Sequence, residues 1–380
     1  MLLYLMITAV VLALARPVLT QTAMREQKQR NPTGILSRKQ GVSRLCLGTV
    51  FVLLFLLSAL RLEVGNDYGT YTDVIHEIYV GGYVVTEPLF NWVVKVLCLL
   101  SGGENYLLVF GFFAFITIWL FLKVLYEQSD SFFGAFFLFM TLGIYFRTFN
   151  TMRYYFVLAI TLYSFRYVLR KEYGKFILLI AFGALFHKSV LVVIPLYLLA
   201  NFRWKKGQMA MLLVGGLLAT LFREQIVELA LLLYPSYRDT IYLEQGIGLG
   251  ENLMIIIRCL AVLILALICY RDSVEDSLEN GFYLRLNILA VCLYCFASFL
   301  PLVGRIGYYL ITSHMLFIPS LLMGIKEKRK RRLLTVLVVF SCVAYYLFFL
   351  WTGNQEGVRI LPYKSWLFYE KDFLNAGEIF

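Results

Sequence analysis

The residues best equipped for chemistry fall in three short blocks and one outlier. The first block is EVGNDYGTYTDVIHEIYVGGYVVTEPLFNW, from Glu63 to Trp92. Asn66 or Asp67 can cap a short helix, which puts Asp67 and Tyr71 on one face, one turn apart. Thr86-Glu87-Pro88 reads as a second helix start, because proline suits the first turn and a carboxylate suits the positive end of the dipole. Asp67 and Glu87 are then either simple caps or members of a carbohydrate-type site. In such a site carboxylates bind or deprotonate hydroxyls, and rings such as Tyr68 and Tyr71 pack on the apolar faces of sugars.

The second block, FRTFNTMRYYFVLAI, places Arg147 and Arg153 on either side of a turn between apolar runs. They read as snorkelling side chains at helix ends or as a guanidinium pair for an anion such as phosphate. The third is His187-Lys188-Ser189, inside ALFHKSVLVV. The chain has 3 histidines in all. Ionisable groups this deep in an apolar run usually line a pathway or site, and imidazole can act as base, acid or phosphate donor. The competing reading is a buried, satisfied histidine with a peripheral lysine. The outlier is Arg305 in PLVGRIGYY, a helix-end anchor or a further cation near tyrosines.

The elements that must position these groups follow from composition. The chain of 380 residues is 60% hydrophobic and 16% charged, too few charges to cover a soluble surface of that apolarity. Apolar runs approach the roughly 20 residues that a bilayer helix needs, and the alternating strands of a barrel are missing. The expected fold class is all-α: a polytopic transmembrane helical bundle with about 10–12 hydrophobic segments, including re-entrant or broken helices. Spans are expected near 2–19, 45–61, 106–125, 132–146, 154–169, 208–222, 252–270, 284–303, 306–324 and 333–351. Segments 86–101 and 176–200 are ambiguous. The N-terminal run lacks the basic start of a signal peptide and reads as a retained first helix.

The net charge of +11 is no nucleic-acid signature, because it gathers in Arg25–Arg44 and in KEKRKRR at Lys326–Arg332. That is the positive-inside pattern. With those loops cytoplasmic, 1–351 forms one membrane domain, segments of about 63–105 and 225–250 lie outside, and so does the tail 352–380. Two arrangements of the middle are open. If both ambiguous segments cross, the basic turn RKEYGK (170–175) faces out. If neither crosses, 86–101 is interfacial or re-entrant, and 176–200 is a broken hairpin with RKEYGK and NFRWKK (201–206) both cytoplasmic. The second satisfies the charge rule and is the expectation. It requires irregular backbone near His187, tolerated only where protein or a wet cavity surrounds it.

Other chemistries find no support. Most of the 7 cysteines sit in apolar runs, and Cys292-x-x-Cys295 lies within an expected span, so packing is the default there. No P-loop, HExxH, GxSxG or paired-Asp cluster occurs, so a reaction is expected to need no nucleotide, no metal and no cofactor.

The ordered blocks resemble those of the EpsG family of bacterial membrane proteins, related in role to Wzy-type polysaccharide polymerases. The resemblance rests on Asp67-Tyr68 with Tyr71 followed by Glu87, on N-x-M-R at Asn150–Arg153, and on F-H-K-S at Phe186–Ser189 followed by Pro195. Many members carry Gln after Met-Arg, where this chain has Tyr154. The resemblance spans about 50–350. It implies polymerisation of undecaprenyl-diphosphate-linked oligosaccharide units into exopolysaccharide or capsule, at the outer face of the bacterial cytoplasmic membrane. It also implies membrane lipid as a partner, with a chain-length regulator and other export proteins nearby. In that setting Arg153, with Arg147 or Arg305, would stabilise the departing diphosphate, His187 or Glu87 would take the attacking proton, and Lys188 and Ser189 would support His187 or touch the diphosphate. Asp67, Tyr68 and Tyr71 would bind sugar. The rivals are a membrane O-acyltransferase acting on polysaccharide, a lipid-linked oligosaccharide flippase and a non-catalytic scaffold.

Overall fold

The structure, a computed structural model, describes residues 1–30, 37–233, 249–296, 303–355 and 358–368. Expected features falling on 31–36, 234–248, 297–302, 356–357 and 369–380 lie outside them. These include most of the outer segment 225–250, the end of the span 284–303 and the far part of the tail. The described residues form an all-helical membrane bundle. In chain order come α1 (Leu2–Ala15), α2 (Gln21–Arg30), α3 (Arg38–Ala59), α4 (Tyr68–Val80), α5 (Pro88–Leu100) and α6 (Tyr106–Gln128). Then follow α7 (Phe132–Thr141), α8 (Ile144–Arg147), α9 (Met152–Leu169), α10 (Tyr173–Ala184), α11 (Val193–Asn201) and α12 (Lys206–Leu221). The last are α13 (Arg223–Leu233), α14 (Leu249–Ile268), α15 (Leu278–Phe296), α16 (Val303–Ile311), α17 (His314–Gly324) and α18 (Lys328–Trp351).

Polar residues at the starts of the apolar runs fix where helices begin. Ser37 and Gln40 exchange bonds in a capping box ahead of α3, and Asn105 and Ser131 accept from the amides of Leu108 and Gly134 ahead of α6 and α7. α3, α6, α18 and the stretch Val303–Gly324, taken as a whole, are long and apolar enough to cross a membrane. Leu333, Val336 and Phe340 on α18, like Leu45, Val52 and Leu56 on α3, are exposed apolar side chains. Hydrocarbon is the solvent that favours such faces. Inside, Phe113, Phe121, Phe136, Phe139 and Tyr145 are fully buried.

Two expected spans are divided. The run 132–146 breaks at Gly143, whose positive φ ends α7, and whose missing Cβ would lie 3.0 Å from the Phe349 ring. The run 306–324 breaks at Thr312-Ser313. There the hydroxyls turn back onto the carbonyls of Tyr309 and Leu310, 3.3 and 2.6 Å away, and compete with the helix ladder. In both cases the apolar pattern was right and the local backbone chemistry overrode it.

Segment 176–200 is broken and folds back on itself, the backbone shape that the second arrangement requires. α10 runs to Ala184, the chain is extended at His187, and a short 3-10 turn (Lys188–Val192) leads into α11. Pro195 falls in the first turn of α11, where no amide needs a helical partner. The arms fold back on each other. Phe176 of α10 stacks on Tyr197 of α11 at 6.1 Å, and the Asn201 amide donates to the Tyr173 hydroxyl at 3.1 Å. Segment 176–200 therefore enters and leaves by the same end of the bundle, with His187 near its tip. α5 begins beside Phe113, two turns into α6, through the Phe90–Phe113 contact at 5.3 Å. It then runs back toward the start of α6, so it covers only that end.

The chain beyond α18 is drawn across the α3–α4 connection. The amides of Leu62 and Gly65 donate to the carbonyls of Lys364 and Arg359, and the Trp366 amide donates to Leu60. The Tyr4 hydroxyl donates to the Ile360 carbonyl at 2.7 Å.

Candidate active site

Glu87 sits at the N-cap of α5, yet its side chain makes no cap bond. The cap reading therefore fails in its simple form, because both carboxylate oxygens are committed elsewhere. One oxygen, Oε2, pairs with Arg153 Nη1. The other, Oε1, accepts from the Lys188 amide at 3.0 Å and lies 3.5 Å from His187 Nδ1. The extended backbone at His187 presents that amide, since the helix break leaves it free of an intrahelical partner. A second bond, from the Leu89 amide to the Leu185 carbonyl at 3.2 Å, fixes the start of α5 to the hairpin tip.

Arg153 enters from the first turn of α9. Its guanidinium lies over the rings of Phe90 and Tyr71, 5.1 and 5.8 Å from their centroids, and its Nε donates to the Tyr71 hydroxyl at 3.4 Å. Asp67, also at a cap position without a cap bond, accepts from the Thr151 hydroxyl. The Asn66 amide donates to Asn150 Oδ1 at 3.1 Å. Gly65 permits this approach, having a φ of 104° and standing where a Cβ would be 2.2 Å from the Phe149 carbonyl oxygen. The first and second sequence blocks are thus stitched together residue by residue.

The electrostatics follow from these partners. Burial pushes the Glu87 carboxyl up, but His187 facing it, the Arg153 guanidinium and the Lys188 amide outweigh burial and hold it down to about 2. Glu87 is therefore a fixed anion and a weak base. His187 is 8% exposed, and neither of its ring nitrogens has a hydrogen-bond partner of good geometry in the structure. Its ring meets Tyr154 edge to face at 5.7 Å.

The structure brings Glu87, Arg153, His187, Tyr71 and the backbone of Lys188 to one point, with Asp67 alongside through Tyr71. Other candidates are placed differently. The Lys188 side chain is exposed. Ser189 turns to the Tyr309 hydroxyl at 3.0 Å. Tyr68 stacks on Phe110 at 4.5 Å and belongs with the buried Arg61, whose guanidinium lies 4.9 Å from the same ring. Arg305 is exposed, lies near His187, and accepts at its carbonyl from the Tyr154 hydroxyl at 2.7 Å. Arg147 lies among Tyr308, Tyr345 and Phe349, a different set of neighbours from those of Arg153. Thr151 and Tyr309 were not singled out from sequence, since neither type is unusual in an apolar run. No group of three or more His, Cys, Asp or Glu among the described residues could hold a metal. A groove of about 890 Å³, edged by Arg16, Lys328, Arg331 and Arg332, is lined by none of the site residues.

A helical membrane bundle that closes a carboxylate, a guanidinium and an imidazole around the tip of a broken hairpin is an integral membrane protein with a polar site built into its apolar body. The EpsG family model matches residues 44–365, and the chain belongs to the EpsG family. No curated protein and no solved structure matches it.

Proposed function

We propose that this chain polymerises undecaprenyl-diphosphate-linked oligosaccharide units into exopolysaccharide or capsule, at the outer face of a bacterial cytoplasmic membrane. Membership of the EpsG family supports a polysaccharide polymerase-like role. The single observation that carries the chemistry is the convergence of Glu87, Arg153 and His187 at the hairpin tip.

In this reading a sugar hydroxyl of one lipid-linked unit attacks the anomeric carbon of the chain carried on another. The new C–O bond forms as the bond to the diphosphate breaks, and undecaprenyl diphosphate leaves with the electron pair. His187 takes the hydroxyl proton. Glu87 is unsuited to that task, because a carboxylate held near pH 2 has little affinity for a proton. Its role is to orient His187 and Arg153. Arg153, with Arg305 near His187, faces the charge growing on the leaving diphosphate. Tyr71 and Asp67 border the same point and suit a sugar. A chain-length regulator is the expected partner.

A deletion strain complemented with His187→Ala or Arg153→Ala tests this. Long surface glycan should vanish while single lipid-linked units build up outside the membrane. Full-length polymer lacking only acyl groups would point to an acyltransferase, units trapped inside to a flippase, and unchanged polymer to a scaffold; each would overturn the proposal. Sidedness is read by Lys188→Cys, an exposed position, labelled with an impermeant thiol reagent. Labelling from the cytoplasm alone would sink the outer-face assignment.

A further inference from the structure

Arg147 and Arg258 stand apart from the Glu87 group. Arg147 ends α8, and Arg258 lies in the middle of α14. Each carries a buried Nε without a hydrogen-bond partner. Neither makes an ion pair among the described residues. Both guanidiniums face Tyr308 and Tyr345, and Tyr294 faces both. The Tyr345 hydroxyl accepts from Arg147. The Arg147 guanidinium is 5.7 Å from the Tyr308 ring centroid and 5.1 Å from that of Phe349.

Two half-buried guanidiniums that share one set of aromatic neighbours oppose each other by like charge, and each has its Nε shut away from water. Ring faces recover only part of that cost. An anion of charge near −2 with several acceptor oxygens would remove the repulsion and satisfy the idle donors, which is what phosphate offers an arginine fork. The place is also telling. Tyr155 faces Arg147, whereas Arg153 faces Glu87. These residues are two apart, hence about 200° apart around α9. The two groups flank the first turn of one helix.

We propose that Arg147 and Arg258, framed by Tyr155, Tyr294, Tyr308 and Tyr345, form a second anion site that takes the phosphate group of a lipid. The diphosphate of a lipid-linked sugar is the ligand that the polymerase reading supplies. That name rests on the reading; the anion site does not.

The test uses the full-length protein in phosphatidylcholine nanodiscs, titrated with farnesyl diphosphate by calorimetry. Arg147→Gln and Arg258→Gln should each weaken binding by roughly tenfold or more, and Arg258→Lys by less. Without ligand, Arg258→Gln should melt at the same temperature as the parent or higher, since it removes an unpaired charge. A structural arginine would behave in the opposite way. If phosphatidylglycerol in the nanodisc blocks farnesyl diphosphate, and Arg258→Gln abolishes that block, the phosphate comes from membrane phospholipid and the anion site stands. Binding of both lipids indifferent to Arg147→Gln and Arg258→Gln overturns the proposal, as does a large fall in unliganded melting temperature. Polymer loss in cells plays no part in this readout, so failure here and failure of the polymerase reading are separable.

Discussion

Arg153 and the Arg147–Arg258 pair are the same side chain under opposite arrangements. Arg153 has a carboxylate, a phenol and two ring faces around it. Arg147 and Arg258 have a shared set of tyrosines and no carboxylate among the described residues. A paired guanidinium stabilises the fold and holds its partner in place. An unpaired one is a standing cost that a ligand relieves. The contrast separates a residue whose loss costs fold as well as function from residues whose loss costs binding alone.

The sharpest way to break this contrast is Glu87→Ala. It strips the partner from Arg153, the acceptor from the Lys188 amide and the neighbour from His187. Removing one member of a buried pair costs about 3–5 kcal/mol, so both glycan polymer and thermal stability in detergent should collapse together. His187→Ala should cost polymer formation roughly 10²–10⁴-fold, as expected for a proton acceptor. Its melting temperature should fall only by the packing of one buried ring, because the ring makes no hydrogen bond of good geometry. A larger fall in stability would make His187 a structural residue instead.

Next in size is the response to acid. The folded Glu87 carboxyl is held below its unfolded value, from 4.5 to about 2. Its contribution, on the order of 3 kcal/mol, is therefore fully present above pH 4.5 and lost as pH falls toward 2. Unfolding of Glu87→Gln, measured against pH, should lack that component. The smallest effect is assigned to Tyr154→Phe, which removes only the bond to the Arg305 carbonyl. About 1 kcal/mol of stability should go with polymer retained, and loss of polymer would place Tyr154 in the site.

Much of the fold was legible in the sequence because helix and membrane leave strong local marks. Pro88 after Glu87 marked a helix start, and a polar triplet inside an apolar run marked the break at His187. The hairpin followed from placing two basic turns on one side. Pairing was another matter. Glu87 meets Arg153 66 residues away and the Lys188 amide 101 residues away, and no periodicity encodes such distances. Arg258 passed unnoticed since one arginine in an apolar run looks alike whether it snorkels or lines a cavity. The breaks at Gly143 and Thr312-Ser313 were hidden because apolar length speaks louder than a single glycine or two hydroxyls.

The tail drawn across the α3–α4 connection imposes an order on biosynthesis. The connection that ends at Asp67 gains its backbone partners from residues 359–366. A ribosome must deliver nearly all of these residues before that connection can set. The polar site therefore matures only after α18 has been made, and a nascent chain arrested at the end of α18 would carry every site residue without the brace on the connection that leads to Asp67.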